Sequence, residues 1–133
     1  MDNKFGVRFI ALGELLLRLA PPNYEKIRMT NSFIATYGGA EANVAVALSN
    51  LGIDSSYFTV VPDSSIGKAA IRFIRANDVH CSPCIYSDDG RMGIYYLEEG
   101  FGVRASKVTY DRDNSAFATY DYSKMNFKEK FKD

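Results

Sequence analysis

The feature that most constrains this chain is a pair of glycines, Gly38-Gly39, running into residues 40–51 and closed by a third glycine, Gly52. Within that stretch Val44, Ala47, Leu48 and Leu51 recur at spacings of three and four, the period of a helix with one apolar face. Gly52 stands where a left-handed C-terminal cap is expected, a place for a residue without a Cβ. Residues 56–61 (SYFTVV) then read as a strand, and Pro62-Asp63-Ser64 turns the chain. A second helix is expected over residues 65–77, with Ile66, Ala69, Ala70, Phe73 and Ile74 on one face, and a further strand over 79–86. Strand–helix–strand units of this kind join parallel strands and lay their helices on the sheet.

The remaining segments do not fit a plain doubly wound sheet. Residues 7–12 (VRFIAL) suit a buried strand that ends at Gly13-Glu14, and residues 15–19 continue in extended form. Residues 26–37 carry β-formers without helical spacing and predict one or two exposed strands. Asp88-Asp89-Gly90 signals a hairpin or near-hairpin. Residues 92–98 and 107–112 predict a pair of strands joined through Gly100 and Gly102, with Ile94 and Tyr96 on one face and Tyr95 and Leu97 on the other. The expected fold class is therefore α/β: a parallel sheet flanked by helices, with a small inserted β-sheet. Core segments are expected at about residues 5–14 and 38–90, and inserted strands at about 15–37 and 91–113. Beyond Asn114 the pattern fades, apart from a short helix over 124–132.

Composition excludes several function classes. Lys+Arg and Asp+Glu are 16 each, so no basic surface suits nucleic acid or an anionic membrane. The apolar residues 9–19 are interrupted by Gly13, Glu14 and Arg18. They are too short and polar to span a bilayer and lack the layout of a signal peptide, which points to a cytoplasmic protein. Cys81 and Cys84 form a C-x-x-C pair between strand-like flanks. With no helix start beside them and a single histidine, His80, in the chain, two reduced thiols are the expected state. His80 is assigned no role.

Two places could carry chemistry. Gly38-Gly39 leads into a helix whose free N–H groups favour oxygen-rich ligands, and Asn43, one turn in, offers a donor and an acceptor to a hydroxyl. A tight turn would explain the glycines equally well. Arginines lie among tyrosines on the paired strands: Arg91, Tyr95, Tyr96, Arg104, Tyr110 and Arg112. Such a set can hold a carboxylate or a sugar, but from spacing alone an exposed sheet edge is the better account of it. No phosphate-binding glycine loop followed by Lys-Ser/Thr is present.

The segment YGGAEANVAVALSNLG resembles the N-terminal signature of ribokinase-like (PfkB) carbohydrate kinases, and the match extends to about residue 120. GELLLRLAPP and GRMGIYYLEEGFGVRASKVTYDRDNSAF are similar to the 2-keto-3-deoxygluconate kinases of that family. The resemblance implies a ribokinase-like fold whose small sheet is a lid over the sugar. It implies substrate contacts from Gly38, Gly39, Asn43, Tyr95, Tyr110 and Arg112, with Arg112 on the carboxylate and Arg104 a second candidate. It also implies ATP and Mg2+ for the whole enzyme and pairing of subunits through the lid strands. The family's general base lies in a Gly-Ala-Gly-Asp segment that this sequence does not contain. The chain is therefore expected to hold the sugar side and lid, to bind no nucleotide alone and to be inactive alone. A non-catalytic sugar-binding or dimerising fragment, and a fructokinase- or ribokinase-like enzyme, are the alternatives.

Overall fold

The computed structural model describes residues 6–82 and 84–132. Residue 5, where the core segment was expected to begin, Pro83 between the cysteines, and Asp133 lie outside the described residues.

Two sheets divide the strands. The first is parallel and holds β1 (Arg8–Leu12), β4 (Asp54–Pro62) and β5 (Cys84–Ser87) in the order β1-β4-β5. The second is mixed and holds β2 (Leu16–Ala20), β3 (Ile34–Gly38), β6 (Ile94–Glu98) and β7 (Lys107–Asp111) in the order β3-β2-β6-β7. There β2 runs parallel to β6, while β2–β3 and β6–β7 are antiparallel. Two helices, α1 (Ala40–Asn50) and α2 (Ser65–Ala76), supply the parallel crossovers. The short helices α3 (Ala116–Thr119) and α4 (Phe127–Lys130) follow the second sheet.

β4 is covered on both faces. Tyr57 and Val61 pack with Ala42 and Ala45 of α1 and with Ala70, Ile71 and Ile74 of α2. Phe58 and Val60, on the opposite face, meet Ala116 and the aromatic segment Phe117, Tyr120, Tyr122 and Phe131. The first cluster runs on into the second sheet through Leu17, Met92 and Ile94, so lid and core share apolar packing.

Helix ends follow local chemistry. Ser64 Oγ accepts from the Gly67 N–H at 3.3 Å and caps α2, and Gly52 takes φ 88° after α1, as expected of a left-handed cap.

Several expectations are corrected. The buried stripe of α1 is Ala42, Ala45 and Ser49, whereas Val44 and Leu51 are exposed. Small side chains let the helix approach the sheet closely, and that approach selects a different face from the one the larger residues mark. In α2 the buried face is Gly67, Ala70, Ile71 and Ile74, with Ile66 exposed. Residues 26–33 are not a strand: Ile27–Met29 is a 3-10 turn, and only Ile34–Gly38 pairs in a sheet. Asp88-Asp89-Gly90 does not close a hairpin, because β5 belongs to the parallel sheet and β6 to the mixed one. The turn instead carries the chain between sheets, with Gly90 at φ 84° packed against the backbone of Ala116. The strand expected from residue 79 begins only at Cys84, His80 making an isolated bridge to Ser56. Cys81 and Cys84 are not two reduced thiols: they form a disulfide. Their Cα atoms lie 5.5 Å apart, within bonding reach.

Candidate functional site

A cleft of about 870 Å³ opens where the end of β1, the start of α1 and one face of the mixed sheet meet. Leu12, Gly13 and Glu14 bring the core strand to its rim; Gly39, Ala40, Glu41 and Asn43 form the helix side. The sheet contributes Tyr95, Val108, Tyr110 and, just past β7, Arg112. Its volume falls in the range of small-molecule sites.

Period-two alternation explains the sheet's contribution. Tyr95 and Tyr110 are register partners on β6 and β7, so both project from one face, with ring centroids 6.0 Å apart. The Arg112 guanidinium carbon lies 5.0 Å from the centre of the Tyr110 ring, a cation–π distance. Burial raises the Tyr95 hydroxyl above its ordinary value, so it remains a neutral donor at physiological pH.

The two glycines act through room. Neither Gly38 nor Gly39 has a left-handed backbone; φ at Gly39 is 177°, which any residue adopts. A Cβ on Gly39 would fall 2.5 Å from the Glu14 carbonyl oxygen. A Cβ on Gly38 would lie 3.2 Å from the Tyr95 hydroxyl and 3.6 Å from Asn43 Oδ1. Glycine at these positions lets β3, the α1 N-terminus and β6 converge. Among the described residues no side chain caps the first turn of α1, and the Gly39 carbonyl accepts from the Asn43 N–H at 2.8 Å. The early N–H groups of α1 therefore remain available at the cleft rim.

Of the residues singled out from sequence, Gly39, Asn43, Tyr95, Tyr110 and Arg112 line the cleft, and Gly38 lies directly beneath Tyr95 and Asn43. Arg104 is elsewhere. It donates to the carbonyls of Glu99, at 3.1 Å, and Tyr24, and lines a separate cavity with Lys26, Arg28, Tyr96 and Lys107. Tyr96 faces away from Tyr95, so alternation alone separates that cavity from the cleft.

Sequence reasoning missed three cleft carboxylates, Glu14, Glu41 and Asp113. Glu14 Oε2 lies 3.7 Å from Arg112 Nη1, and a Cβ on Gly13 would collide with Glu41 Oε2 at 2.5 Å. A lone acid inside the apolar run of residues 9–19 was the available signal for Glu14. The C-terminal wall, Phe117 and Ala118, came from a segment without a readable pattern. Glu14, Glu41 and Asp113 line the cleft with one cation, Arg112, among the described residues. That balance suits a ligand rich in hydroxyl donors with at most one anionic group. It does not suit a triphosphate.

A parallel α/β sheet with a glycine-floored cleft under a second β-sheet defines the class: a ribokinase-like fold with a small inserted sheet. The chain belongs to the pfkB family of carbohydrate kinases, whose pattern matches residues 8–130. It is 38% identical over 111 residues to a 2-dehydro-3-deoxygalactonokinase of Haloferax volcanii, a match covering 83% of this chain and 34% of that protein. Among solved structures, a 2-dehydro-3-deoxygluconokinase of Thermotoga maritima superposes with a TM-score of 0.87 at 38% identity, over 92% of this chain and 37% of that one. A PfkB family carbohydrate kinase of Listeria grayi superposes at 0.88 with 36% identity, over 95% and 39%. The chain thus spans little more than a third of the length of the relatives it matches. Among the described residues no helix is long and apolar enough to cross a membrane.

Proposed function

We propose that this chain forms the sugar-binding and lid portion of an ATP-dependent carbohydrate kinase acting on a 2-keto-3-deoxy sugar acid, 2-keto-3-deoxygluconate foremost. The observation that carries the reading is Arg112, the cleft's cation, poised over Tyr110 and beside Tyr95. A keto-acid sugar has a carboxylate for a guanidinium fork and hydroxyls for Tyr, Asn and backbone N–H groups. Neutral sugars offer nothing that needs Arg112. The two relatives named for 2-dehydro-3-deoxy sugar acids support the same class.

Phosphoryl transfer of this kind depends on positioning and on stabilising charge at the transferred group. The described cleft contributes binding and orientation. ATP and Mg2+ belong to the proposal for the whole protein, since a triphosphate does not fit among Glu14, Glu41 and Asp113. On this reading the 133 residues alone do not phosphorylate the sugar. A second copy of the chain is proposed to pair through the lid strands, where β7 is an exposed edge.

The test is an NMR titration of the chain with 2-keto-3-deoxygluconate, with fructose and ribose as controls. Shifts at Gly39, Tyr95 and Arg112 for the acid sugar alone support the reading. Equal shifts with fructose would assign the cleft to a neutral sugar, and ATP-dependent phosphorylation by this chain would refute the division of labour.

A further inference from the structure

Glu14 occupies the seam between the two sheets, after β1 ends and before β2 begins. Its side chain is 16% exposed, and Oε1 is buried with no hydrogen-bond partner among the described residues. A carboxylate so placed is costly unless an opposite charge or a ligand answers it. The opposite charge is Arg112, reached through Oε2 at 3.7 Å, an ion pair too long for a hydrogen bond.

Glycines hold this arrangement open. A Cβ on Gly93 would lie 2.7 Å from Glu14 Oε1 and 3.0 Å from the Arg112 Cβ. Gly93 therefore leaves clear the space between the acid and the lid arginine. Gly39 packs on the carbonyl of the same Glu14, so both ends of the residue rest against glycine. The other ionisable groups around Glu14 include Glu41 of α1, Asp113 just past β7, Tyr57 of β4 and Tyr122 of the C-terminal segment. Burial, with Glu14 and Tyr120 adding to it, pushes the Tyr122 hydroxyl up to about 12, and burial pushes Tyr57 up as well, so both stay neutral. Arg112 is the cation in this set.

We infer that Glu14 is a positioning residue for Arg112: it draws the lid guanidinium across the seam, leaving part of its fork free for a substrate carboxylate. The ligand part of this inference rests on the acid-sugar reading; the positioning part does not. Fixing a long, mobile side chain before binding reduces the ordering cost when ligand arrives. Glu14 also repels an incoming carboxylate. Affinity alone therefore cannot report its role, whereas the order of Arg112 can.

The experiment follows the Arg112 guanidinium by 15N NMR in the whole chain, comparing wild type with Glu14→Gln, Glu14→Asp and Gly93→Ala. In the wild type, rotation about the Nε–Cζ bond is expected to be slowed. Glu14→Gln, which keeps shape and removes charge, should speed it about tenfold, the rate equivalent of about 1.4 kcal/mol. Glu14→Asp should restore part of the slowing. Gly93→Ala should abolish it with the carboxylate intact. A well-dispersed amide spectrum for Glu14→Gln serves as the folding control. Identical Arg112 rotation in wild type and Glu14→Gln overturns the inference. Adding 2-keto-3-deoxygluconate separates the two readings. Arg112 ordered by Glu14 but indifferent to the sugar sinks the substrate and keeps the positioning. Sugar-dependent shifts with no Glu14 dependence do the reverse.

Discussion

β4 and β7 are written in nearly the same alphabet, with Tyr, Thr and Val in each, yet the fold uses them oppositely. Tyr57 and Val61 on β4 are each 1% exposed, while Tyr110 and Val108 on β7 are 61% and 46% exposed. β4 is the middle strand of its sheet, with helices on one face and the aromatic C-terminal segment on the other. β7 is an edge strand whose residues are all exposed. The same side chains that stabilise the core by leaving water stay exposed to solvent on the second sheet. Residue type sets what a position can offer, and coverage decides whether that offer is used for folding or for binding.

The largest effect should separate the two strands outright. Phe58→Ala, which empties a fully buried site on β4, is expected to cost about 3–5 kcal/mol in urea unfolding. Tyr110→Ala on β7 should stay within about 0.5 kcal/mol of wild type, as exposed substitutions do. Comparable losses for the two would break the comparison.

Next in size is binding. Arg112→Ala should weaken keto-acid sugar binding by about 1.5–3 kcal/mol, the range for charged hydrogen bonds, in addition to the stability lost by leaving Glu14 without its opposite charge. Calorimetric titration beside a thermal melt measures both, and a loss confined to stability would make Arg112 structural.

Gly39→Ala probes the join between the regions. Its methyl would meet the Glu14 carbonyl, so a cost of about 1–3 kcal/mol is expected from overpacking. A neutral result would show that the α1 N-terminus can retreat from the cleft freely.

The smallest effect concerns the lid edge. Asp111 accepts a 2.5 Å bond from Arg91, which holds its carboxyl below the ordinary 3.8. A lowered folded-state value stabilises the fold above the ordinary range, and the contribution fades as pH falls through it. The pair is solvent-exposed and weak. The melting difference between wild type and Asp111→Asn should therefore be small at neutral pH, shrink in high salt and vanish once pH has fallen through the lowered carboxyl value. A difference that persists in acid would assign the loss to packing.

How far the sequence was legible differs by element. Both long helices, the strand pair β6–β7 and the cap at Gly52 followed from periodicity and glycine placement. The inward face of α1 did not, because periodicity marks the largest apolar residues and close packing favoured Ala42, Ala45 and Ser49. The cleft was legible where a residue type announced its chemistry, as at Arg112, Tyr110 and Asn43. Arg104 carried the same chemistry and ended in another cavity, engaged with the carbonyls of Tyr24 and Glu99. Glu14 was passed over because an acid at the end of a strand looks like a solvated terminus until a second sheet closes over it.

The sequence by itself determined the local matters: which segments are helix or strand, where glycine must stand, and which side chains alternate to one face. These depend on backbone sterics and on periods of a few residues, and they are written within each segment. Only the tertiary structure decided that residues 88–90 pass between sheets and that the C-terminal aromatics cover β4. It alone also put Glu14 and Arg112 within an ion pair's reach across 98 positions. Each of these joins residues distant in sequence or chooses between faces, and that choice depends on what else is buried beside them.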